Sequence, residues 1–329
     1  MRPPAFWFTH PDQPNWKARA LAPLAALVAR ATRRRVAQPG FRANIPVICV
    51  GNLNMGGTGK TPTVIALIER LYAKGIHAHV VSRGYGGRLD GPLQVDPKQH
   101  AASDVGDEPL LIAAFGPTWI AKNRADGVRA AQDAGAQVIL LDDGFQNPSV
   151  VKDLSIVVVD AVAGFGNGRV APAGPLREPV STGLARANAV LVIGPPTQRT
   201  RFLGIWGGAI TQPILGGELV PLRTGMDWTG ERVFAFAGIG RPEKFFATLR
   251  AMGADVVKTQ PLDDHQQLSE ALMKRLEIEA FALGAQLVTT EKDAVRLPAS
   301  FQQRILTVSV RLDIDDWSAL DQLLDFAGL

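Results

Sequence analysis

Between residues 45 and 203 the chain alternates short, nearly continuous apolar runs with segments of helical periodicity. Runs at 47–50, 79–81, 138–141, 156–159 and 189–193 are rich in Val, Ile and Leu and too short for helices, so they are predicted strands. A strand apolar at every position is buried on both faces, which points to a parallel sheet covered by helices on each side. After an irregular, Gly-rich stretch at 204–230 the alternation resumes. It runs through a strand at 233–237, the turn Gly238-Ile-Gly-Arg-Pro242, a helix at 243–252 opened by Pro242, and strands at 255–258, 286–289 and 305–308. No repeat or low-complexity tract is present, and the alternation excludes an all-β or helical-bundle fold.

The first strand breaks into glycines and ends where a helix is predicted over 64–74: Val47-Ile-Cys-Val-Gly-Asn-Leu-Asn-Met-Gly-Gly-Thr-Gly-Lys-Thr-Pro62. This is the layout of a phosphate-binding loop. Glycines let backbone N–H groups wrap a polyphosphate, the helix N-terminus adds positive charge, Lys60 reaches the β/γ-phosphates and the Thr61 hydroxyl meets Mg²⁺. The strict pattern wants glycine at position 54, where this chain has Asn54, so Gly56 and Gly57 must supply the flexibility. Residues Asn54, Met55, Gly56, Gly57, Thr58, Gly59, Lys60 and Thr61 are the expected nucleotide site. The fold expected is therefore α/β, a P-loop NTPase-type parallel-sheet core with a second, smaller α/β domain. The expected division is 1–44 as an N-terminal helical segment, 45–210 as the P-loop domain, 211–230 as linker and 231–329 as the smaller domain.

Composition adds that 329 residues, 46% hydrophobic and 20% charged, suffice for two domains with cores of their own. One cysteine, Cys49, excludes an internal disulfide and sits inside an apolar strand, as a small buried residue rather than a nucleophile. The net charge of +4 is concentrated at the start, where residues 1–44 hold eight Lys/Arg against one Asp. There Trp7, Trp16, Leu21, Leu24, Leu27, Val28 and Ala31 recur at roughly helical spacing, followed by Arg30, Arg33, Arg34 and Arg35. Two readings compete: a basic amphipathic helix on an anionic membrane surface, or a helix docked on its own domain. A secretory signal at 21–29 fits poorly, since three arginines follow it directly. No stretch reaches the ~18 apolar residues of a spanning helix.

Further chemistry lies at the ends of predicted elements. Val138-Ile-Leu-Leu-Asp-Asp-Gly-Phe-Gln146 delivers Asp142 and Asp143 at the C-terminal end of a strand, where P-loop enzymes hold Mg²⁺; a simple Asp-Gly turn is the alternative. Gly106-Asp-Glu-Pro109 offers Asp107 and Glu108, as a helix cap or as the carboxylates a kinase needs for a hydroxyl and a metal. Asp264-His265 places an imidazole beside a carboxylate. Arg83 and Arg177 stand in glycine- and proline-rich turns that either grip a phosphate or make surface salt bridges.

Taken together, the loop 51–62, Ser82-Arg-Gly-Tyr-Gly86, Gly106-Asp-Glu-Pro109, Asp142-Asp-Gly-Phe-Gln146, Pro172-Ala-Gly-Pro-Leu-Arg-Glu178, Phe236-Ala-Gly-Ile-Gly-Arg-Pro-Glu-Lys-Phe-Phe246, Asp264-His265 and Thr290-Glu-Lys-Asp-Ala294 resemble the tetraacyldisaccharide 4′-kinase family, the lipid A 4′-kinases of Gram-negative bacteria. The resemblance runs almost from end to end and covers the Asn54 departure. It implies ATP-dependent phosphorylation of the 4′-hydroxyl of tetraacyldisaccharide 1-phosphate to lipid IVA, in lipid A biosynthesis. The enzyme would be peripheral, at the cytoplasmic face of the inner membrane, monomeric and without a nucleic-acid partner. It implies Asp107 as base with His265 as its dyad partner, Thr61, Glu108, Asp142 and Asp143 around Mg²⁺, and Lys60 on the transferring phosphoryl. Arg83, Tyr85, Gln146 and Arg177 are implied to contact substrate or phosphate. Gln266 stands where the family often has a second histidine.

The rival is a regulatory P-loop ATPase of the partitioning type, whose loop carries a lysine where this chain has Met55. A GTPase would want its lysine one place earlier in Thr290-Glu-Lys-Asp293, and an inactive scaffold would not need Lys60, Thr61, Asp107 and Asp142.

Overall fold

The computed structural model describes residues 3–263 and 266–329. The strands in chain order are β1 (Val47–Gly51), β2 (Ala78–Ser82), β3 (Leu93–Gln94), β4 (Thr118–Ile120), β5 (Val138–Asp142), β6 (Leu154–Asp160), β7 (Ala189–Ile193), β8 (Ile214–Pro221), β9 (Arg232–Ala237), β10 (Asp255–Pro261), β11 (Gln286–Thr290), β12 (Leu306–Val308) and β13 (Val310–Ile314). They form a nine-stranded sheet ordered β13-β8-β7-β6-β1-β5-β2-β4-β3 and a four-stranded sheet ordered β10-β9-β11-β12. The small sheet is wholly parallel. The large one is parallel from β4 to β8, with β3 and β13 added antiparallel at its edges.

The five apolar runs of the first unit are the central strands, buried at every position. Because strand side chains alternate, they split between two cores. Val47, Cys49, Ile139, Leu141, Val157 and Val159 face one side, packed with Val128 of the helix Arg124–Asp133 and with Ala25 from the N-terminal helix. Ile48, Val50, Val138, Leu140, Ile156 and Val158 face the other, packed with Val64, Leu67, Ile68 and Leu71 of the helix Lys60–Ala73. That helix begins a turn earlier than its periodicity suggested, at the loop lysine itself.

The sheets do not follow the expected boundaries. β8 lies within the predicted linker, yet it pairs with β7 and completes the parallel array. β13 and the helix Ser318–Phe326 lie within the expected smaller unit, yet they return to the large sheet. There β13 pairs with β8, while Leu320 and Leu324 join the core under the helix Lys60–Ala73. The second sheet draws on β9 to β12 alone.

At the N-terminus, helices Trp16–Ala20 and Ala22–Val36 turn small residues inward. Ala18, Ala25 and Thr32 are buried, with Leu21 and Ala29 against the core, while Trp16 (71% exposed), Leu24 (53%) and Leu27 (65%) point outward. The segment is thus docked on its own unit and still presents a bulky apolar face beside the exposed Arg30, Arg33, Arg34 and Arg35. Among the described residues, no helix is long and apolar enough to cross a membrane.

Two outcomes follow for the core. Leu67→Ala, at a fully buried position, should cost about 3 kcal/mol in urea unfolding; a loss below about 1 kcal/mol would mean that the site collapses around the gap. Burial pushes the Cys49 thiol up to about 11, so native protein at pH 8 should resist a thiol reagent until it unfolds. Rapid labelling of folded protein would contradict that burial.

Candidate active site

The site lies at the C-terminal ends of the central strands, where β1 delivers the glycine-rich loop and β5, one strand away, delivers its acids. Gly59 caps the helix Lys60–Ala73 at φ +100°, and a Cβ there would lie 2.6 Å from Ile193 Cδ1, so both conformation and space require glycine. Asn52, fully buried, donates through its amide to the Gly56 carbonyl (3.0 Å) and the Thr58 hydroxyl (3.1 Å), bracing the loop from within. From outside the loop is held by the segment 164–177. The Asn54 amide donates to the Gly164 carbonyl (3.0 Å), Met55 N–H to the Pro175 carbonyl (2.7 Å), and Arg177 N–H to the Leu53 carbonyl (2.7 Å). The Asn54 side chain and the Met55 N–H are therefore structural, leaving the N–H groups of 56–61 and the Lys60 and Thr61 side chains for phosphate and its cation.

Asp142 and Asp143 differ in environment. Asp142 is buried, accepts from Ser82 Oγ (3.1 Å), and has its second oxygen, Oδ1, buried without a hydrogen bond. Burial first, then the neighbouring Glu108 charge, pushes its carboxyl up to about 7, against the opposing pull of Lys60. Asp143, at φ +50°, is gripped by Arg177 through two bonds (2.7 and 3.1 Å) and lies 3.7 Å from Lys60 Nζ. Burial raises its carboxyl, but Lys60 and Arg177 outweigh it and hold the group below the usual range. Arg124, buried behind the pair, donates to the Asp143 carbonyl (2.9 Å). Gln146 donates to the Asn52 carbonyl and to Glu178 (both 2.9 Å) and accepts from Arg177 (3.2 Å), so its amide serves as a brace. Glu178 in turn takes two bonds from Arg186 (2.7 and 2.6 Å).

Asp107 and Glu108 open the helix Asp107–Ile112, whose start is set by Gly106 at φ +92° packed on the Tyr85 carbonyl. This contact brings the turn bearing the exposed Arg83 and Tyr85 alongside the carboxylates. Asp107 is buried and accepts from the Glu108 N–H (3.0 Å). From the smaller sheet's side, Lys292 reaches Glu108 (3.1 Å) and lies 4.0 Å from Asp107, while Arg296 Nε lies 3.7 Å from Asp107. The expected His265 lies outside the described residues.

Several of these residues were not singled out from the sequence: Asn52, Arg124, Glu178, Lys292, Arg296 and Asp160. Asp160 carried a usable signal, an acid closing a buried strand as Asp142 does. It ends β6, next to β1, accepts from the N–H groups of Val162 and Ala163 (2.9 and 3.0 Å), and is met from across by Arg241 (3.1 Å) and Lys244.

A glycine loop closing on a helix N-terminus, beside a buried strand-end acid in a parallel sheet, defines a P-loop nucleotide enzyme, and the second carboxylate pair suits it to phosphoryl transfer. A family profile described as tetraacyldisaccharide-1-P 4′-kinase matches residues 17–327. The chain belongs to that family. It is 64% identical to the tetraacyldisaccharide 4′-kinase of Dinoroseobacter shibae, over 99% of this chain and 97% of that one, and 56% identical to that of a Jannaschia species, over 99% and 98%. A crystal structure of LpxK from Aquifex aeolicus, described as an "apo" form in complex with ATP, has the same fold. Its TM-score is 0.77 at 24% identity, over 94% of this chain and 99% of that one.

The Asp160 contacts give a pH test. Burial raises its carboxyl, but Lys244 and Arg241 more than offset this and leave it below the ordinary value. A depressed carboxylate stabilises the fold above the unfolded pKa and loses that contribution as pH falls through the folded one. Asp160→Asn keeps the backbone bonds and removes the charge, so it should cost about 1–2 kcal/mol at pH 7, discounted for its half-exposed partners. The difference from wild type should shrink as pH drops below about 4. A difference that persists at pH 3 would show that charge is not its source.

Proposed function

We propose that this chain transfers the γ-phosphoryl of ATP to the 4′-hydroxyl of tetraacyldisaccharide 1-phosphate, giving lipid IVA. The observation that carries this reading is the buried, hydrogen-bond-free Asp142 Oδ1, set one strand from the phosphate loop and electrostatically coupled to both Glu108 and Lys60. Family membership then supplies the acceptor.

Mg²⁺ fits these residues. Among the described residues no cluster of three or more Asp, Glu, His or Cys could cage a metal, which suits an ion held by one or two carboxylates plus substrate phosphates. Asp142 and the Thr61 hydroxyl are the direct ligands in this reading, with Glu108 nearby, because Asp143 is already taken by Arg177 and Lys60. The oxygen-only donors favour a hard cation. Bound with ATP, the ion neutralises charge on the β,γ-phosphate oxygens.

The chain's own groups do the rest. Backbone N–H groups of residues 56–61 cradle the polyphosphate, and Lys60, which Asp143 holds in place, stabilises the charge of the transferring phosphoryl. Asp107 accepts the proton of the 4′-hydroxyl and orients its oxygen for in-line attack, with His265 as its partner. Lys292 and Arg296 stand over Asp107 and Glu108 and place positive charge beside the two carboxylates. Arg83 and Tyr85, on the turn packed against Gly106, meet the substrate. The outward Trp16, Leu24 and Leu27 with the arginines beyond them seat the enzyme peripherally on the anionic cytoplasmic face of the inner membrane, where its acylated substrate resides.

The test is transfer of radiolabelled γ-phosphate from ATP to tetraacyldisaccharide 1-phosphate in detergent micelles. Wild type should label the lipid only with Mg²⁺ present. Asp107→Ala should lose about 10²- to 10⁴-fold in turnover, and Lys60→Ala about 10²- to 10³-fold with a smaller effect on ATP binding. Phosphate release to water without lipid label would favour the regulatory ATPase.

A further inference from the structure

The residues that hold the phosphate loop from outside are themselves tied to the far N-terminus. The short helix Ala5–Phe8 has no fully buried residue, with Phe6 and Trp7 only partly covered. Its links to the segment 164–177 are hydrogen bonds. Asn167 N–H donates to the Trp7 carbonyl (2.7 Å), the Asn167 amide to the Phe6 carbonyl (3.1 Å), and the Trp7 indole N–H to the Pro172 carbonyl (3.0 Å). Asn167 is only 2% exposed and uses both ends of its amide, donating also to the Ala173 carbonyl (2.9 Å) and accepting from Arg169 N–H (3.1 Å).

The fit is close on both sides of this residue. A Cβ on Gly166 would lie 2.5 Å from the Trp7 carbonyl oxygen, and one on Gly174 would lie 2.1 Å from Asn167 Oδ1. The next residue along, Pro175, accepts from Met55 N–H in the phosphate loop, and Leu176 forms a bridge with Asn54. One compact loop therefore touches the N-terminal segment on one face and the nucleotide loop on the other.

We propose that Asn167 is a positioning residue for the phosphate loop, and that the segment 5–8 is through it a working part of the nucleotide site. The inference rests on the reading of residues 54–61 as that site. A loop whose backbone N–H groups must converge on phosphate loses affinity when its supports loosen, without any change in the chemical groups.

Two full-length variants test it. Asn167→Asp keeps size and the acceptor for Arg169 N–H while setting a carboxylate oxygen against the Phe6 and Ala173 carbonyls. Trp7→Phe removes the indole donor and trims a partly covered ring. Hydrogen exchange should rise in both variants at 5–8 and also at 53–56. The Kd for ATP should rise about tenfold for Asn167→Asp and about threefold for Trp7→Phe, with kcat at saturating ATP within about twofold of wild type. Faster exchange at 5–8 with 53–56 and ATP affinity unchanged would overturn the inference. Should Asn167→Asp fail to fold, Trp7→Phe decides alone. Wild type that binds no ATP would overturn the nucleotide reading itself, and this inference with it.

Discussion

Two adjacent carboxylates at the end of β5, Asp142 buried and Asp143 half-buried, set the terms for everything around them. Removing carboxylates from water is costly unless cations and donors converge on them, and the surrounding structure is that convergence. Arg177 and Lys60 meet Asp143, Ser82 meets Asp142, and Arg124 binds the backbone behind both. Each cation is also a tie to another element. Lys60 fixes the first turn of the loop helix, and Arg177 fixes the segment that clasps the loop from outside. Of the pair, Asp142 keeps a buried oxygen without a hydrogen bond among the described residues, and that asymmetry is what supports the proposed cation and polyphosphate there.

The smaller sheet contributes to the same edge through charge. Arg241 and Lys244 reach Asp160 beside β1, while Lys292 and Arg296 reach the Asp107–Glu108 pair. The two motifs of this part of the chain, Phe236 to Phe246 and Thr290 to Ala294, thus end in cations set over carboxylates of the large sheet. Asp293, fully buried, explains why the second motif is rigid: it accepts from Gly238 N–H and from the Thr290 hydroxyl, locking the turn that presents Lys292.

Sequence alone made the centre of this fold legible and its margins obscure, for physical reasons. Strands buried on both faces leave unbroken apolar runs, so β1, β5, β6 and β7 could be read directly. β13 is an edge strand and β8 lies beside it, both partly exposed and carrying Gly, Pro or charged positions, and the pairing of β8 with β7 and β13 depends on distant residues. The loop lysine and the strand-end acids were readable because phosphate chemistry restricts residue type and spacing. The use of Asn54 and Gln146 as braces was not, since an amide gives no sign of which way it faces. The N-terminal helix is docked, yet part of its apolar face stays outward. Its alanines dock and its larger apolar residues face outward, a division that periodicity shows only as one broad stripe.

The most direct test of the account is a structure of the protein with Mg²⁺ and a non-hydrolysable ATP analogue. The ion should bind Asp142 Oδ1 and the Thr61 hydroxyl, with the γ-phosphate at Lys60 and facing Asp107. An ion on Asp143 with Arg177 displaced, or a triphosphate lying away from the Lys60 helix terminus, would contradict it.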